Sequence, residues 1–184
     1  LALCGNGEKV YNASEFGIVP NTGEDVTRAI GDAIAAIATE RGGKPATLLF
    51  ESGEYDFYPD SAIVREYYVS NHDQDNPKLV AIPLEGLKNF RIAGADDGKW
   101  SKGEGVRFMM NGRMLPIAMV DCENCGIENV QVDTRVPQIT QVEVLENDIE
   151  AGFITYRIAP YANYRIDNGR LVTYGANWEM VPCA

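Results

Sequence analysis

Residues 22–59 read TGEDVTRAIGDAIAAIATERGGKPATLLFESGEYDFYP, and the fold turns on what that stretch becomes. Val26, Ala29, Ile30, Ala33, Ile34 and Ile37 recur at helical spacing and leave one apolar stripe. Thr22 followed three residues later by Asp25 predicts a capping-box-like start. Gly42 and Gly43 supply the positive-φ positions that end a helix. Thr47-Leu48-Leu49-Phe50 then reads as a buried strand, Glu51-Ser52-Gly53-Glu54 as a turn, and Tyr55-Asp56-Phe57-Tyr58 as a second strand stopped by Pro59. A lone helix ahead of strands has a use when the strands stack. The open end of a stack exposes strand edges and apolar core, and a helix with one apolar face covers it. Burying Val26, Ile30, Ile34 and Ile37 is worth roughly 1.5–3 kcal/mol per side chain. An ordinary helix packed on a sheet would show the same stripe.

Outward from that stretch, the chain is rich in strands. Val10-Tyr11-Asn12-Ala13 reads as a short strand, and residues 16–20 as an extended lead-in to the helix. Tyr67-Tyr68-Val69 reads as a short strand before the polar loop Ser70-Asn71-His72-Asp73-Gln74. Gly86-Leu87-Lys88-Asn89-Phe90-Arg91-Ile92 is echoed by Gly126-Ile127-Glu128-Asn129-Val130-Gln131-Val132. Each copy alternates apolar and polar positions as a strand with one buried face does, and each carries Asn where a bend tolerates left-handed backbone. Strands at residues 79–82 and 115–120 lie ahead of the two copies, and a further strand at 106–110 lies between them. Short strands with tight bends at a fixed period describe a solenoid of parallel strands.

From about residue 138 the pattern changes. Residues 139–145 alternate, Glu146-Asn147-Asp148 reads as a turn, and residues 153–158 alternate again. Asn168-Gly169 between alternating runs is a hairpin signal. This is an antiparallel meander, so the domain organisation expected is 1–137 for the helix and first coils and 138–184 for the meander. A solenoid needs both ends covered. The expectation is therefore an N-terminal portion of a longer protein, able to self-associate through its last coil or its incomplete meander.

Composition narrows the chemistry. The 184 residues carry 27 acidic and 16 basic side chains, a net charge of −11, which argues against a nucleic-acid surface. No apolar run reaches membrane-spanning length. Leu1-Ala2-Leu3-Cys4-Gly5 reads as a signal-peptide remnant; a lipoprotein signal would usually have a small residue before the cysteine. A secreted, periplasmic or cell-surface location is expected. Cys122 and Cys125 have metal or redox spacing, but Cys4 and Cys183 form no second pair and no helix begins at Cys122, so two small residues in a strand-to-strand turn is the expected reading. His72 is the sole histidine. No metal or cofactor is expected.

The helix followed by Leu-Leu-Phe-Glu-Ser-Gly-Glu-Tyr resembles the opening of right-handed parallel β-helix proteins of the pectate-lyase and polygalacturonase type. More narrowly, residues 68–74, Ile82-Pro83-Leu84-Glu85-Gly86-Leu87-Lys88-Asn89, Gly112-Arg113-Met114-Leu115-Pro116 and Asn177-Trp178 resemble the N-terminal third of bacterial α-1,3-galactosidases of glycoside hydrolase family 110. The resemblance implies a mainly β chain: a right-handed parallel β-helix with an N-terminal capping α-helix, followed by the start of an inserted antiparallel barrel. It implies exo-hydrolysis of terminal α-1,3-linked galactose on an oligosaccharide or glycan, by inversion and without metal. Inversion needs a general acid and a base about 6.5–9.5 Å apart. In the family those carboxylates lie later in the β-helix, so no catalytic role is carried onto any residue here.

Three residues are singled out as substrate-binding candidates. Arg113 presents a planar fork of donors suited to hydroxyls. Asp133 and Arg135 follow the second repeat strand, where the solenoid surface meets the meander. Surface ion pairs or solvated turns are the competing readings for all three. Asp121 and Glu123 form a pair that many acidic residues produce by chance. Trp100 and Trp178 could stack on sugars, and Trp178 equally reads as a packing anchor of the meander. Two other classes compete: a non-catalytic carbohydrate-binding or structural β-helix module, and a lyase or polygalacturonase acting on acidic pectins. The strand repeats lack the Asp cluster that a calcium-dependent lyase would use.

Overall fold

A computed structural model describes residues 7–68, 77–96, 99, 104–137, 140–175 and 178–180. The readings placed on residues 1–5, on residues 69–74, on Trp100 and on Cys183 lie outside the described residues, as does the side chain of Trp178. The chain is mainly β, with one α-helix. After strand β1 (Lys9–Asn12) and helix α1 (Thr27–Glu40) come β2 (Ala46–Phe50), β3 (Gly53–Phe57), β4 (Ile63–Arg65) and β5 (Lys78–Glu85). Then follow β6 (Phe90–Gly94), β7 (Val106–Met110), β8 (Leu115–Val120), β9 (Gly126–Glu128) and β10 (Val130–Thr134).

These strands sort into three sheets that the chain visits in turn. The first is β1-β2-β6-β9, the second β3-β7-β10, and the third β4-β5-β8. All neighbours are parallel except β4, which runs antiparallel along β5. Successive circuits stack like residues over like: Leu48 beside Ile92 beside Ile127, Tyr55 beside Phe108 beside Val132, and Ile82 beside Ile117. Inward-facing side chains from the sheets therefore meet in one core. Phe108 packs edge-on against Phe50 at 5.1 Å between ring centres and against Tyr55 at 6.0 Å. Edge-to-face geometry adds to the area these rings bury.

Helix α1 joins the same core through Val26, Ile30, Ala33, Ile34 and Ile37, all buried. The strand edges beside it are covered as well. β1 lies along β2, β4 lies along β5, and the lead-in to the helix bonds to β3 through Asn21 N–H to Glu54 O (2.7 Å) and Val26 N–H to Asp56 O (2.9 Å). The helix begins later than its sequence suggests. Thr22 Oγ1 accepts the Glu24 N–H in a local turn, whereas Asp25 Oδ1 receives both the backbone N–H (2.9 Å) and the hydroxyl (2.5 Å) of Thr27. Asp25 thus initiates the helix itself. Gly42 (φ 57°) and Gly43 (φ 82°) end it, as expected.

Other expectations shift by a few residues. The strand assigned to residues 67–69 is β4, nearer the helix, where β-branched Ile63 pairs with Val80 and Val64 with Leu79. The forty-residue echo is real as a bend motif but not as a register. Asn89 (φ 53°) turns the chain from the third sheet into the first; Asn129 (φ 54°) turns it from the first into the second. The counterpart of Asn89 one circuit on is Asn124 (φ 52°), whose Nδ2 donates to Asn89 Oδ1 at 2.7 Å across 35 residues. Gly94 lies under the Asn129 corner: a Cβ there would sit 2.1 Å from Asn129 O.

The remaining described strands pair antiparallel. β11 (Val142–Asp148) pairs with β12 (Phe153–Ile158), and β13 (Asn163–Asp167) with β14 (Arg170–Gly175), which also pairs with β15 (Trp178–Met180). The hairpin turn at Asn168 (φ 50°) and Gly169 (φ 78°) is as read. The first hairpin turns at residues 149–152, not 146–148. Asp148 Oδ1 accepts the Ala151 N–H (2.8 Å), Gly152 supplies the positive φ, and a bulge between Val144 and Glu146 accommodates Leu145.

Candidate functional site: the outer face of the second sheet

Strand alternation decides which side chains reach this face. In β3, Tyr55 and Phe57 point inward, so Glu54 and Asp56 point outward. In β7, Val106, Phe108 and Met110 are core, leaving Arg107 and Met109 outside; in β10 the outward positions are Gln131 and Asp133. Parallel register lines them up as rows: Glu54, Arg107 and Gln131 in one, Asp56, Met109 and Asp133 in the next. Arg135 extends the ladder one bond beyond β10, its N–H donating to Met110 O at 2.9 Å.

The charges on this face are interlocked. Arg107 Nη1 donates to Glu54 Oε1 (2.8 Å). Arg135 reaches over β7 to both acids of β3, giving Nη1 to Glu54 Oε2 (3.1 Å) and Nη2 to Asp56 Oδ1 (2.6 Å). Asn111 Nδ2 donates to that same Asp56 oxygen at 2.9 Å. The Asp56 side chain is 7% exposed, so its charge is carried almost entirely by these donors. The bonds to Asp56 and Glu54 hold the Arg135 proton more firmly than usual, against the opposing effect of burial.

The structure places the three candidates near one another in the fold. Asp133 and Arg135 share the outer face at the end of β10. Asp133 accepts the N–H of neighbouring Thr134 (2.8 Å). Arg113 is exposed in the turn at residues 111–114 that leaves the same end of β7. Glu54, Asp56, Arg107 and Asn111, which organise this face, were not singled out from the sequence. Their signal was the alternation of β3, in which Glu54 and Asp56 occupy every second position. A cleft of about 390 Å³ adjoins the Glu54 end, lined by Asn21, Ser52, Gly53, Glu54, Lys99, Glu104, Gly105 and Arg107.

Other candidates are accounted for locally. Glu123 pairs with Lys88 Nζ at 2.5 Å one circuit below, and that bond holds its carboxyl below the usual range. This separates it from any acid–base partnership with Asp121, which sits in a left-handed bend (φ 52°). Cys122 and Cys125 flank Glu123-Asn124 between β8 and β9, both half-buried and not joined by a disulfide. Their thiols face Leu84 O and Leu87 O, each at 3.3 Å, and burial pushes the Cys125 thiol up. Among the described residues no group of three or more His, Cys, Asp or Glu side chains is placed to hold a metal, and no helix is long and apolar enough to cross a membrane. A second exposed cluster joins Arg65, Tyr67 and Glu85: the guanidinium is bidentate on the carboxylate (2.9 and 2.9 Å), and the Tyr67 hydroxyl donates to it at 2.6 Å. Burial and that carboxylate push the Tyr67 phenol up to about 12.

No family model matches the chain. Individual proteins do, and all those that follow are glycoside hydrolases by name. The chain is 40% identical over 178 residues to "Alpha-1,3-galactosidase B" of Phocaeicola vulgatus, which covers 96% of this chain and 28% of that protein. It is 41% identical over 175 residues to the protein of the same name from Bacteroides fragilis (94% and 28%) and 33% identical over 177 residues to that of Akkermansia muciniphila (95% and 21%). By sequence the chain is similar to these alpha-1,3-galactosidases along nearly its whole length. It spans little more than a quarter of the length of the first two relatives.

Proposed function

We propose that this chain is the N-terminal portion of an exo-acting glycoside hydrolase that removes terminal α-1,3-linked galactose from oligosaccharides or glycans. The observation that carries the reading is the identity of about 40% to alpha-1,3-galactosidases over 94–96% of the chain. The circuit through three parallel sheets supports a finer architecture: the opening coils of a right-handed parallel β-helix, with α1 as its lid and an inserted antiparallel domain beginning near residue 137. The exposed ribbons β11 to β13 suit a domain whose remaining strands come from further chain. The relatives are more than three times longer than the span matched here, and the reading assigns the two catalytic carboxylates to that further length. In this reading the 184 residues supply a rigid base and an outer face whose residues Arg113, Asp133 and Arg135 lie beside the route to the inserted domain. Export to the periplasm, cell surface or medium goes with such a substrate.

The test compares the 184-residue chain with the longer protein on an α-1,3-linked galactoside, following the released sugar by NMR. The longer protein is expected to turn over and to release β-galactose first, as inversion requires. Turnover by the 184-residue chain alone would overturn the downstream placement of the carboxylates. Release of α-galactose would overturn inversion.

A further inference from the structure

We propose that Arg135 is a positioning residue: it latches the point where the chain leaves the parallel stack, and so sets the direction in which the antiparallel segment departs. The inference needs the geometry of the stack alone and not the glycosidase reading. Arg135 is the last residue whose backbone continues the β10 ladder, through its N–H to Met110 O. Pro137, two residues on, has no N–H to extend that ladder and fixes its own φ. The parallel ladder therefore ends at residues 135–137. At that point the side chain does not pair with its neighbours in the adjoining strand. It crosses β7 and grips Glu54 and Asp56 of β3, residues 81 and 79 positions away.

The grip is on the first circuit of the stack, in β3. Asp56 O also receives the Val26 N–H, so the same residue anchors the lead-in to α1. Asn111 Nδ2, from the start of the next turn, shares the Asp56 carboxylate with Arg135. The exit of the third circuit is thereby tied to the first circuit, to the turn leaving the second, and to the helix. Planar guanidinium geometry matters, because the two carboxylates are bridged by two different nitrogens; a lysine offers one point charge. Other surface pairs, such as Lys88 with Glu123, link adjacent circuits and reach no exit point.

The test is amide hydrogen exchange, read by mass spectrometry on the full 184-residue chain. Arg135→Met is expected to speed exchange at residues 136–144 by about tenfold, with little change in β2, β6 and α1. Arg135→Lys is expected to recover part of that protection, and Glu54→Gln, which leaves the Asp56 bond in place, to lose less than Arg135→Met. The double variant Arg135→Met with Asp56→Asn removes the buried unpaired carboxylate and guards against simple misfolding; it is expected to show the same local loss. Unchanged exchange at 136–144 in both the single and the double variant would overturn the proposal. So would an increase spread evenly over the chain, or full protection in Arg135→Lys. None of these readouts requires activity, so the result stands whether or not the galactosidase reading does.

Discussion

The parallel stack and the antiparallel ribbons are written in the same alternating code and bury it differently. In the stack, Leu48, Phe50, Phe57, Phe90, Ile92 and Phe108 are fully buried. In the ribbons, Val144, Phe153, Ile154, Tyr164 and Ile166 are 45–64% exposed. Alternation specifies a strand with two unlike faces; burial requires a second layer for the apolar face to meet. The stack supplies that layer to itself, because successive circuits bring three sheets around one core, which α1 joins. The ribbons have two or three strands each, and a hairpin without a second layer is marginal. Their stabilisation comes from backbone pairing, from the Asn168-Gly169 turn, from the buried Val172 and Thr173 of β14, and from exposed pairs such as Arg157 with Glu143 (2.7 Å), each such pair being worth little.

The sharpest way to break that contrast is to remove one aromatic ring from each region. Phe108→Ala deletes contacts with Phe50, Tyr55 and Phe57, all of them fully buried. It is expected to cost about 3–5 kcal/mol in a urea titration. Phe153→Ala, on a strand where the ring is 45% exposed, is expected to cost below about 1 kcal/mol. Equal losses would mean that the ribbon ring packs as tightly as the core ring, and the distinction between the regions would fall.

How far this was legible beforehand follows from the same physics. The α1 stripe, the glycines that stop it, β2, and the Asn168-Gly169 hairpin are local signals, set by periodicity and backbone conformation within a few residues. They were readable. Register was not, because it depends on which residues stack across circuits. Asn129 matches Asn89 in sequence, yet Asn124 is the residue that sits over it, since loops of unequal length separate the strands. The outer-face cluster was half legible: Asp133 and Arg135 stand out by position, but the acids that Arg135 grips lie 79 and 81 positions away. A fork of donors looks the same in sequence whether it awaits a sugar hydroxyl or already grips Asp56.

A second comparison uses one substitution in both regions. Asn124 and Asn168 both hold left-handed backbone, which disfavours alanine by roughly 1–2 kcal/mol. Asn124→Ala also deletes the bond to Asn89, and its corner is part of the cooperative stack. It is expected to destabilise the whole stack by at least about that amount, read as a lower unfolding midpoint. Asn168→Ala carries the same backbone penalty in a hairpin whose buried Val172 lies outside the stack's core cluster. Its effect is expected in the exchange of β13 and β14 amides, with the stack's midpoint unchanged. A stack that melted earlier in Asn168→Ala would show that the two regions unfold as one unit.

The smallest expected difference concerns acid. Asp25 is partly buried, which alone would raise its pKa; hydrogen bonds from Ser61 and Thr27 outweigh this and hold it below the ordinary 3.8. A carboxylate depressed on folding adds stability that is present above its unfolded pKa and is lost as pH falls through the folded one. Asp25→Asn should therefore flatten the acid limb of the stack's stability curve below about pH 4. Glu179 in the ribbons is also depressed, but by the exposed guanidinium of Arg165 at 2.8 Å. Ion pairs of that kind are screened by salt, whereas neutral donors are not. In high salt the Asp25 contribution should persist while that of Glu179 disappears. If salt removed both, the start of α1 would be held by long-range charge instead of by the two short bonds to Thr27, and the helix would owe its placement to the field of the stack and not to its own first turn.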